Sequence, residues 1–133
     1  MSQENVQVVR QIFEAFNRRD WAAWESHHHP DVEWCDPPEL PDAGVHHGVG
    51  GIRRFFIDLL ETGDEWHVEV EDVSSVGPQR VLMRGRSVGV GRKSRIPFED
   101  PSFQLFDLDE SRVRRVQTFR TVTEALEAAG LSE

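Results

Sequence analysis

The chain has 133 residues and a formal net charge of −9, from 15 Lys and Arg against 24 Asp and Glu. This length predicts a single domain over residues 1–133, and the acidic balance argues against a nucleic-acid partner, because such binders usually present a basic surface. Hydrophobic residues make up 38% of the chain, enough for a core, but no apolar run approaches the roughly 20 residues of a membrane helix, so we expect no membrane partner.

The compartment is indicated by the start of the chain and by its cysteine content. Residues 1–5 lack the basic and then apolar layout of a secretion signal. Cys35 is the single cysteine, which excludes an internal disulfide and is typical of a reducing environment. We therefore expect a cytoplasmic protein.

Two helices come first. The first has an apolar face at positions i, i+3, i+7 and i+10: Val6, Val9, Phe13 and Phe16. Asp20 is placed to cap a second, short helix that carries Trp21 and Trp24. The run His27-His28-His29 is expected to close that helix, and three adjacent histidines cannot all face one metal ion from it. No repeated metal-ligand spacing occurs elsewhere, so we expect no metal site.

A short strand follows and ends in an acid. Because strand side chains alternate between faces, Val32, Trp34 and Asp36 share one face. Pro37 cannot donate to a ladder and ends the strand there. If that face is interior, Asp36 lies in an apolar wall and can act as a general base. If it is not, Asp36 caps a surface turn, since Asp-Pro is a common turn signal.

The middle of the chain reads as a loop and a third helix. The loop runs from Pro38 to Gly48 and ends in His46-His47-Gly48. The helix has the most regular apolar face in the chain, with stop signals at Thr62-Gly63. That face consists of Ile52, Phe55, Phe56, Leu59 and Leu60.

From Trp66 onwards the hydrophobic period changes to two, which predicts strands. The pattern indicates strands from Trp66, over Val81–Ser87, over Ile96–Leu108 (either continuous or broken near Asp100-Pro101) and over Val113–Val122. Thr121 and Glu124 form a capping box for a terminal helix that ends at Gly130. The resulting fold class is α+β: a curved, mostly antiparallel sheet wrapped over N-terminal helices, forming a cone-like half-barrel with an internal pocket.

Several segments, in this order and spacing, resemble the nuclear transport factor 2-like superfamily and its SnoaL-like group, which is related to polyketide cyclases and ketosteroid isomerase. They are residues 9–20, His29-Pro30-Asp31-Val32-Glu33-Trp34, residues 36–41, residues 48–56 and residues 124–131. The resemblance implies a cone-like barrel that is often dimeric through its sheet, so we expect a homodimer. It does not select one activity, because the superfamily includes isomerases, cyclases, dehydratases, epoxide hydrolases and non-catalytic binding domains.

The resemblance also implies a role for Asp36. Asp36 followed by Pro37 resembles the proton-abstracting aspartate of the ketosteroid isomerase branch, which pairs that base with a tyrosine and a protonated aspartic acid. Here Ile12 occupies the tyrosine place and Ser102 lies near the place of the second acid. This departure argues against steroid isomerisation.

The predicted site combines these residues. The expected catalytic residues are Asp36, His46 and Arg84, where an inward Arg84 would pair with Asp36 and an outward one would face solvent. Candidates for holding a ligand oxygen are His46 or His47, Arg84 or Arg86, and Gln104. The expected substrate-binding residues are Trp34, Phe55, Arg86, Phe98, Phe103, Gln104 and Phe119.

Three functional hypotheses remain open. The first is a cofactor-independent acid–base enzyme of isomerase, cyclase or lyase type, with Asp36 as base and a small apolar or aromatic carbonyl compound as ligand. The second is a ligand-binding or dimeric interaction domain without chemistry. The third is an epoxide hydrolase, which would need a second acid beside Asp36 and Arg84.

Overall fold

The computed structural model describes residues 2–37, 44–62, 64–91 and 94–131. Four helices are present in this part of the chain: α1 (Ser2–Arg18), α2 (Trp21–Ser26), α3 (Val49–Thr62) and α4 (Val122–Ala128). Six strands are β1 (His28–Cys35), β2 (Val45–His47), β3 (Asp64–Gly77), β4 (Arg80–Gly91), β5 (Pro97–Asp109) and β6 (Arg112–Phe119). None of the helices in these ranges combines the length and the apolar character needed to cross a bilayer.

The strands form one open, mixed sheet in the order β2-β1-β6-β5-β4-β3. All neighbouring pairs are antiparallel except β1 and β6, which are parallel. The main core lies between the inner face of this sheet and α1, α2 and α3, and it includes Val9, Phe13, Trp24, Phe56 and Phe106. The outer face carries a smaller cluster of Leu82, Leu105 and Ala125, the last of which belongs to α4. The predicted α+β class is confirmed.

Local signals explain where two helices begin. The carboxylate of Asp20 accepts a hydrogen bond from the backbone N–H of Ala23 at 3.2 Å, which caps α2 as predicted. The hydroxyl of Thr121 accepts from the backbone N–H of Glu124 at 3.2 Å, which confirms the cap of α4. In both cases a side chain satisfies a backbone donor that has no partner within the helix.

The structure corrects several predicted boundaries. α2 ends at Ser26 with His27 as its C-cap, and His28 already belongs to β1, so the histidine run does not close the helix as a unit. The predicted loop contains β2, and residues 38–43 of that loop lie outside the described residues. β6 ends at Phe119 rather than at Val122, and β5 is continuous through Asp100-Pro101, which is one of the two alternatives left open by the sequence. α3 ends at Thr62, and the predicted stop residue Gly63 lies outside the described residues.

The longest strand pair depends on a glycine. Gly85 in β4 faces Val70 in β3, next to a register shift between Val70 and Asp72. A Cβ atom at Gly85 would overlap the backbone carbonyl of Glu69 on the neighbouring strand. Only glycine permits this close approach of two backbones, and the shift is the kind of bulge that bends a sheet over its core.

Candidate active site

A pocket of about 440 Å³ opens between the inner face of the sheet, α1 and α3. Such a volume is typical of small-molecule sites. Seven aromatic residues line its interior: Phe13, Phe16, Trp24, Trp34, Phe56, Trp66 and Phe106. Phe16 makes edge-to-face contacts with Phe56 at 5.5 Å and with Trp66 at 5.1 Å between ring centroids. This packing gives the wall a defined shape and an apolar surface.

Asp36 and His46 meet at the rim of this pocket. Strand β2 runs antiparallel to β1 and pairs His46 with Trp34, so the His46 side chain lies on the same face as Trp34 and Asp36. The Nε2–H of His46 donates to Oδ2 of Asp36 at 2.9 Å, since an ionised carboxylate can only accept. The side chain of Asp36 is 27% exposed and that of His46 is 54% exposed. The carboxylate thus contacts both solvent and the apolar interior.

Phe55 lies beside this pair on α3. Its ring is 58% exposed and lies nearly parallel to the imidazole of His46, with 6.2 Å between centroids. It also contacts Phe56 edge-to-face at 5.7 Å. An exposed aromatic ring that touches both the wall and His46 extends the apolar surface out to the pocket mouth.

Uncharged polar side chains interrupt the aromatic wall on the sheet side. They are Ser87, Ser102, Gln104 and Thr118. Gln104 is 8% exposed, and its Nε2 donates to the Thr118 hydroxyl at 3.4 Å. Within the described part of the chain, Gln104 Oε1 and the indole Nε1 of Trp66 are buried without a hydrogen-bonding partner. Burying a polar atom without a hydrogen-bonding partner costs free energy, so the presence of each of these two atoms calls for an explanation.

Five of the ten predicted site residues lie together at this pocket: Trp34, Asp36, His46, Phe55 and Gln104. Ile12, which the family resemblance puts at the place of the tyrosine, and Ser102, which it puts near the place of the second acid, also line the pocket. The five other predicted residues lie elsewhere, and the sheet geometry explains each case.

Arg84 and Arg86 do not line the pocket, and of the two orientations left open by the sequence the structure has the outward one. In β4, Met83 and Ser87 face the core and the pocket, so the alternate residues Arg84 and Arg86 face outward. Arg84 is exposed. Arg86 forms ion pairs with Glu69, at 2.8 Å, and with Glu99. Hydrogen bonding to Glu69 and the charge of Glu99 raise the pKa of Arg86, so it is a fixed surface cation rather than a partner of Asp36.

Three predicted aromatic residues are also outside the pocket. Phe103 and Phe119 pack against the outer cluster of Leu82, Leu105 and Ala125, because each is directly adjacent in sequence to an inward-facing residue. Phe98 points to the same inner face of β5 as Gln104, because the two residues are an even number of positions apart. It lies six residues away along the strand, however, which is about 20 Å in an extended chain. It lines a separate and more open pocket of about 700 Å³ together with Trp66 and Arg19.

Most of the aromatic residues of the pocket wall were not among the predicted site residues. Phe13, Phe16, Trp24 and Phe56 were predicted only as apolar residues of their own helices, and Trp66 and Phe106 only lay within predicted strands. The available signal was the helical period on α1 and α3, which places Phe13, Phe16 and Phe56 inward. Thr118 was also not predicted as a site residue, although it is adjacent to Phe119 on β6.

His28 is a buried titratable group beside this wall. It is 3% exposed, stacks on Trp24 with 4.2 Å between centroids, and donates Nδ1–H to the backbone carbonyl of Trp24 at 2.7 Å. Burial lowers the pKa of His28 to about 4 against the opposing effect of the Trp24 hydrogen bond. Its Nε2 has no partner among the described residues, and no cluster of metal-ligating side chains occurs in those residues either.

Comparisons with known proteins agree with this architecture. The sequence profile described as "SnoaL-like domain" matches residues 9–120. A nuclear transport factor 2-like protein of unknown function from Burkholderia pseudomallei superposes with a TM-score of 0.77 at 21% identity, covering 96% of this chain and 97% of that one. A similar protein from Burkholderia xenovorans gives 0.70 at 27% identity, covering 97% of both chains.

A third similar structure is a candidate polyketide cyclase from Xanthomonas campestris, with a TM-score of 0.77 at 19% identity, covering 96% of this chain and 98% of that one. The comparison with curated proteins gave no match. The structural likenesses therefore establish the fold, and the site chemistry has to be argued from this chain's own residues.

Proposed function

Since this chain belongs to the SnoaL-like domain family, a group within the nuclear transport factor 2-like superfamily, we propose that it binds small apolar carbonyl compounds and catalyses cofactor-independent proton transfer on them. The observation that carries the proposal is the Asp36–His46 hydrogen bond of 2.9 Å at the rim of the aromatic pocket. A carboxylate at such a boundary has water on one side and can meet an apolar ligand on the other.

The proposed reaction begins with Asp36. Its free carboxylate oxygen removes a proton from the carbon next to a ligand carbonyl. The C–H bond breaks, an O–H bond forms on Asp36, and the electron pair moves onto the carbonyl oxygen as an enolate. In a β,γ-unsaturated carbonyl compound the enolate is conjugated with the C=C bond, and return of the proton from Asp36 to the γ-carbon completes an isomerisation. His46 holds the second carboxylate oxygen and so fixes the direction of the free one, which makes it a positioning residue.

The second candidate is a domain that binds a ligand without chemistry. The observation that favours it is the presence of Ile12 and Ser102 at pocket positions where the resemblance implies a tyrosine and an acid. Epoxide hydrolysis has less support, because Asp36 is the only acid lining the pocket among the described residues and no arginine lines it there.

The oligomeric state and the cellular location of the protein are also proposals. We propose a homodimer formed through the sheet, as the family resemblance suggests, and a cytoplasmic location, which the single cysteine suggests. Sedimentation velocity at micromolar concentration tests the oligomeric state: a mass of about twice 15.3 kDa supports the dimer, and a monomer contradicts it.

The proposed reaction can be tested without knowing the natural substrate. 2-Tetralone is a neutral, aromatic-fused cyclic ketone with exchangeable protons next to its carbonyl. Binding can be followed by tryptophan fluorescence, because Trp24, Trp34 and Trp66 line the pocket. Proton abstraction can be followed by NMR as deuterium incorporation in D₂O.

We expect the protein to bind 2-tetralone and to accelerate deuterium uptake over buffer. Asp36→Asn should keep the fold and the binding but lose the acceleration, since the amide cannot accept the proton. Binding without acceleration by the wild-type protein would favour the non-catalytic candidate. Equal acceleration by wild-type protein and Asp36→Asn would remove Asp36 as the base.

A further inference from the structure

Three polar side chains lie in one row across the inner face of the sheet. The parallel register of β1 and β6 pairs Cys35 with Gln117, so Thr118 is level with Asp36, one strand away. The antiparallel register of β6 and β5 pairs Thr118 with Gln104. The row therefore runs from Asp36 through Thr118 to Gln104, and all three residues line the pocket.

The spacing of this row suits a ring-sized ligand. Neighbouring strands lie about 4.8 Å apart, so the backbone of Gln104 is roughly 10 Å from that of Asp36. A cyclic compound lying across β6 can thus offer a C–H group to Asp36 and an oxygen to Gln104 at once. The rest of the wall, which includes Trp34 and Phe106, would cover its apolar faces.

The two residues at the far end of the row have unused hydrogen-bonding capacity. One N–H of Gln104 donates to the Thr118 hydroxyl, which leaves the second N–H of Gln104 and the O–H of Thr118 as donors. Gln104 Oε1 is a buried acceptor without a partner in the described part of the chain. If the amide were turned round, its oxygen would meet Thr118 and its NH₂ group would be the unpaired end, so one polar end of Gln104 remains available in either orientation.

The charge around this pair limits what it can bind. Within the described residues, the acid Asp36 and the histidines His46 and His47 are the ionisable groups that line the pocket, and they lie at the Asp36 end. Gln104 and Thr118 carry no charge. An anionic group placed against them would lose its hydration without meeting a cation, which is costly in an apolar site.

We propose that Gln104 and Thr118 together form the group that binds the oxygen of a neutral ligand, a carbonyl or a hydroxyl, and that they select such ligands over hydrocarbons and carboxylates of the same shape. This inference rests on the proposed function only in taking the aromatic pocket as the ligand site. It assigns oxygen recognition to Gln104 on β5 and Thr118 on β6, not to the Ile12 and Ser102 positions that the family resemblance suggested.

The test compares three ligands with one carbon skeleton. 2-Tetralone carries a carbonyl, tetralin carries no oxygen, and 1,2,3,4-tetrahydro-2-naphthoate carries a carboxylate. Dissociation constants are measured by tryptophan fluorescence for the wild-type protein, Gln104→Met and Gln117→Met. Gln117 provides a matched control, because it is a half-buried glutamine on the outer face of β6, paired with Leu105.

We expect the wild-type protein to bind 2-tetralone about three- to tenfold more tightly than tetralin, as one or two net hydrogen bonds would give. The naphthoate should bind more weakly than 2-tetralone. Gln104→Met should lose the preference for the ketone while binding tetralin as well as before, and Gln117→Met should behave like the wild type. Thermal unfolding of each variant shows whether it is folded.

Each outcome decides the inference. A wild-type protein that binds tetralin and 2-tetralone equally, or a Gln104→Met variant that keeps the preference, overturns it, even if Asp36-dependent deuterium uptake is observed. A preference that depends on Gln104 supports it, even if deuterium uptake is absent and the proposed catalysis fails. Binding of neither probe removes the shared premise and overturns both.

Discussion

The imidazole of His28 lies against the indole of Trp24 and donates its Nδ1–H to the Trp24 backbone carbonyl at 2.7 Å. The hydrogen bond fixes the neutral tautomer with a bare Nε2, and that atom is buried without a partner among the described residues. A proton added at Nε2 would place a charge in the core.

This burial predicts a stability that depends on pH. The pKa of His28 is lowered to about 4 in the folded protein, from 6.5 in an exposed histidine. Between these values the unfolded chain binds a proton that the folded chain does not, so the free energy of unfolding falls as the pH is lowered from 6.5 to 4. A pKa difference of one between the folded and the unfolded chain corresponds to about 1.4 kcal/mol. The contribution of His28 to the fall in the free energy of unfolding is therefore roughly 3 kcal/mol.

Urea unfolding at pH 7 and pH 4.5 measures this effect. We expect His28→Gln to reduce the loss of stability between the two pH values, although the variant is less stable than wild type at pH 7. His67→Gln is the control, because His67 is exposed on β3 and hydrogen-bonded to Glu69. A His28→Gln variant with the full wild-type pH dependence would show that His28 does not titrate in this way.

The His46–Asp36 hydrogen bond predicts a role for His46 in rate but not in folding. His46→Phe removes the donor while retaining a ring to stack on Phe55. We expect deuterium uptake into 2-tetralone to fall about tenfold, the value of one hydrogen bond to a charged acceptor, with little change in the dissociation constant. An unchanged rate would mean that Asp36 is positioned without His46.

Two glycines should respond in opposite ways to the same substitution. Gly85→Ala places a Cβ against the Glu69 carbonyl of the adjacent strand, so we expect a loss of roughly 1–3 kcal/mol or failure to fold. A Cβ on Gly50, in α3, meets no atom within 4 Å. Gly50→Ala should therefore raise the free energy of unfolding by roughly 0.5 kcal/mol, through helix propensity. Urea unfolding of both variants tests the comparison, and equal effects would contradict the close approach at Gly85.

The outward position of Arg86 predicts that it is irrelevant to ligand binding. Arg86→Gln removes the ion pairs with Glu69 and Glu99 on the exposed face of the sheet. We expect the dissociation constant of 2-tetralone to stay at the wild-type value, and any small change in thermal stability to vanish at high salt because exposed pairs are screened. Weakened binding would place Arg86 at the pocket after all.

Three kinds of local feature could be predicted from the sequence. They are the helical periods of α1 and α3, the caps at Asp20 and Thr121, and the alternation of β3 to β6. These signals depend on residues within about ten positions of each other, so local chemistry is sufficient to define them. The proximity of Asp36 to the aromatic wall was also predictable in outline, because Trp34 and Asp36 share a strand face.

Only the tertiary structure shows which face of β4 and β5 points toward the core and the pocket. Alternation shows that Phe103 and Gln104 point in opposite directions, but both faces of β5 are covered, one by the main core and one by α4. Hydrophobicity therefore could not identify the pocket side: Phe103 and Phe119 were assigned to the wrong one, and the face of Arg84 and Arg86 was left open. The His46–Asp36 contact and the row from Asp36 to Gln104 likewise depend on the register between strands distant in sequence, which only the assembled sheet defines.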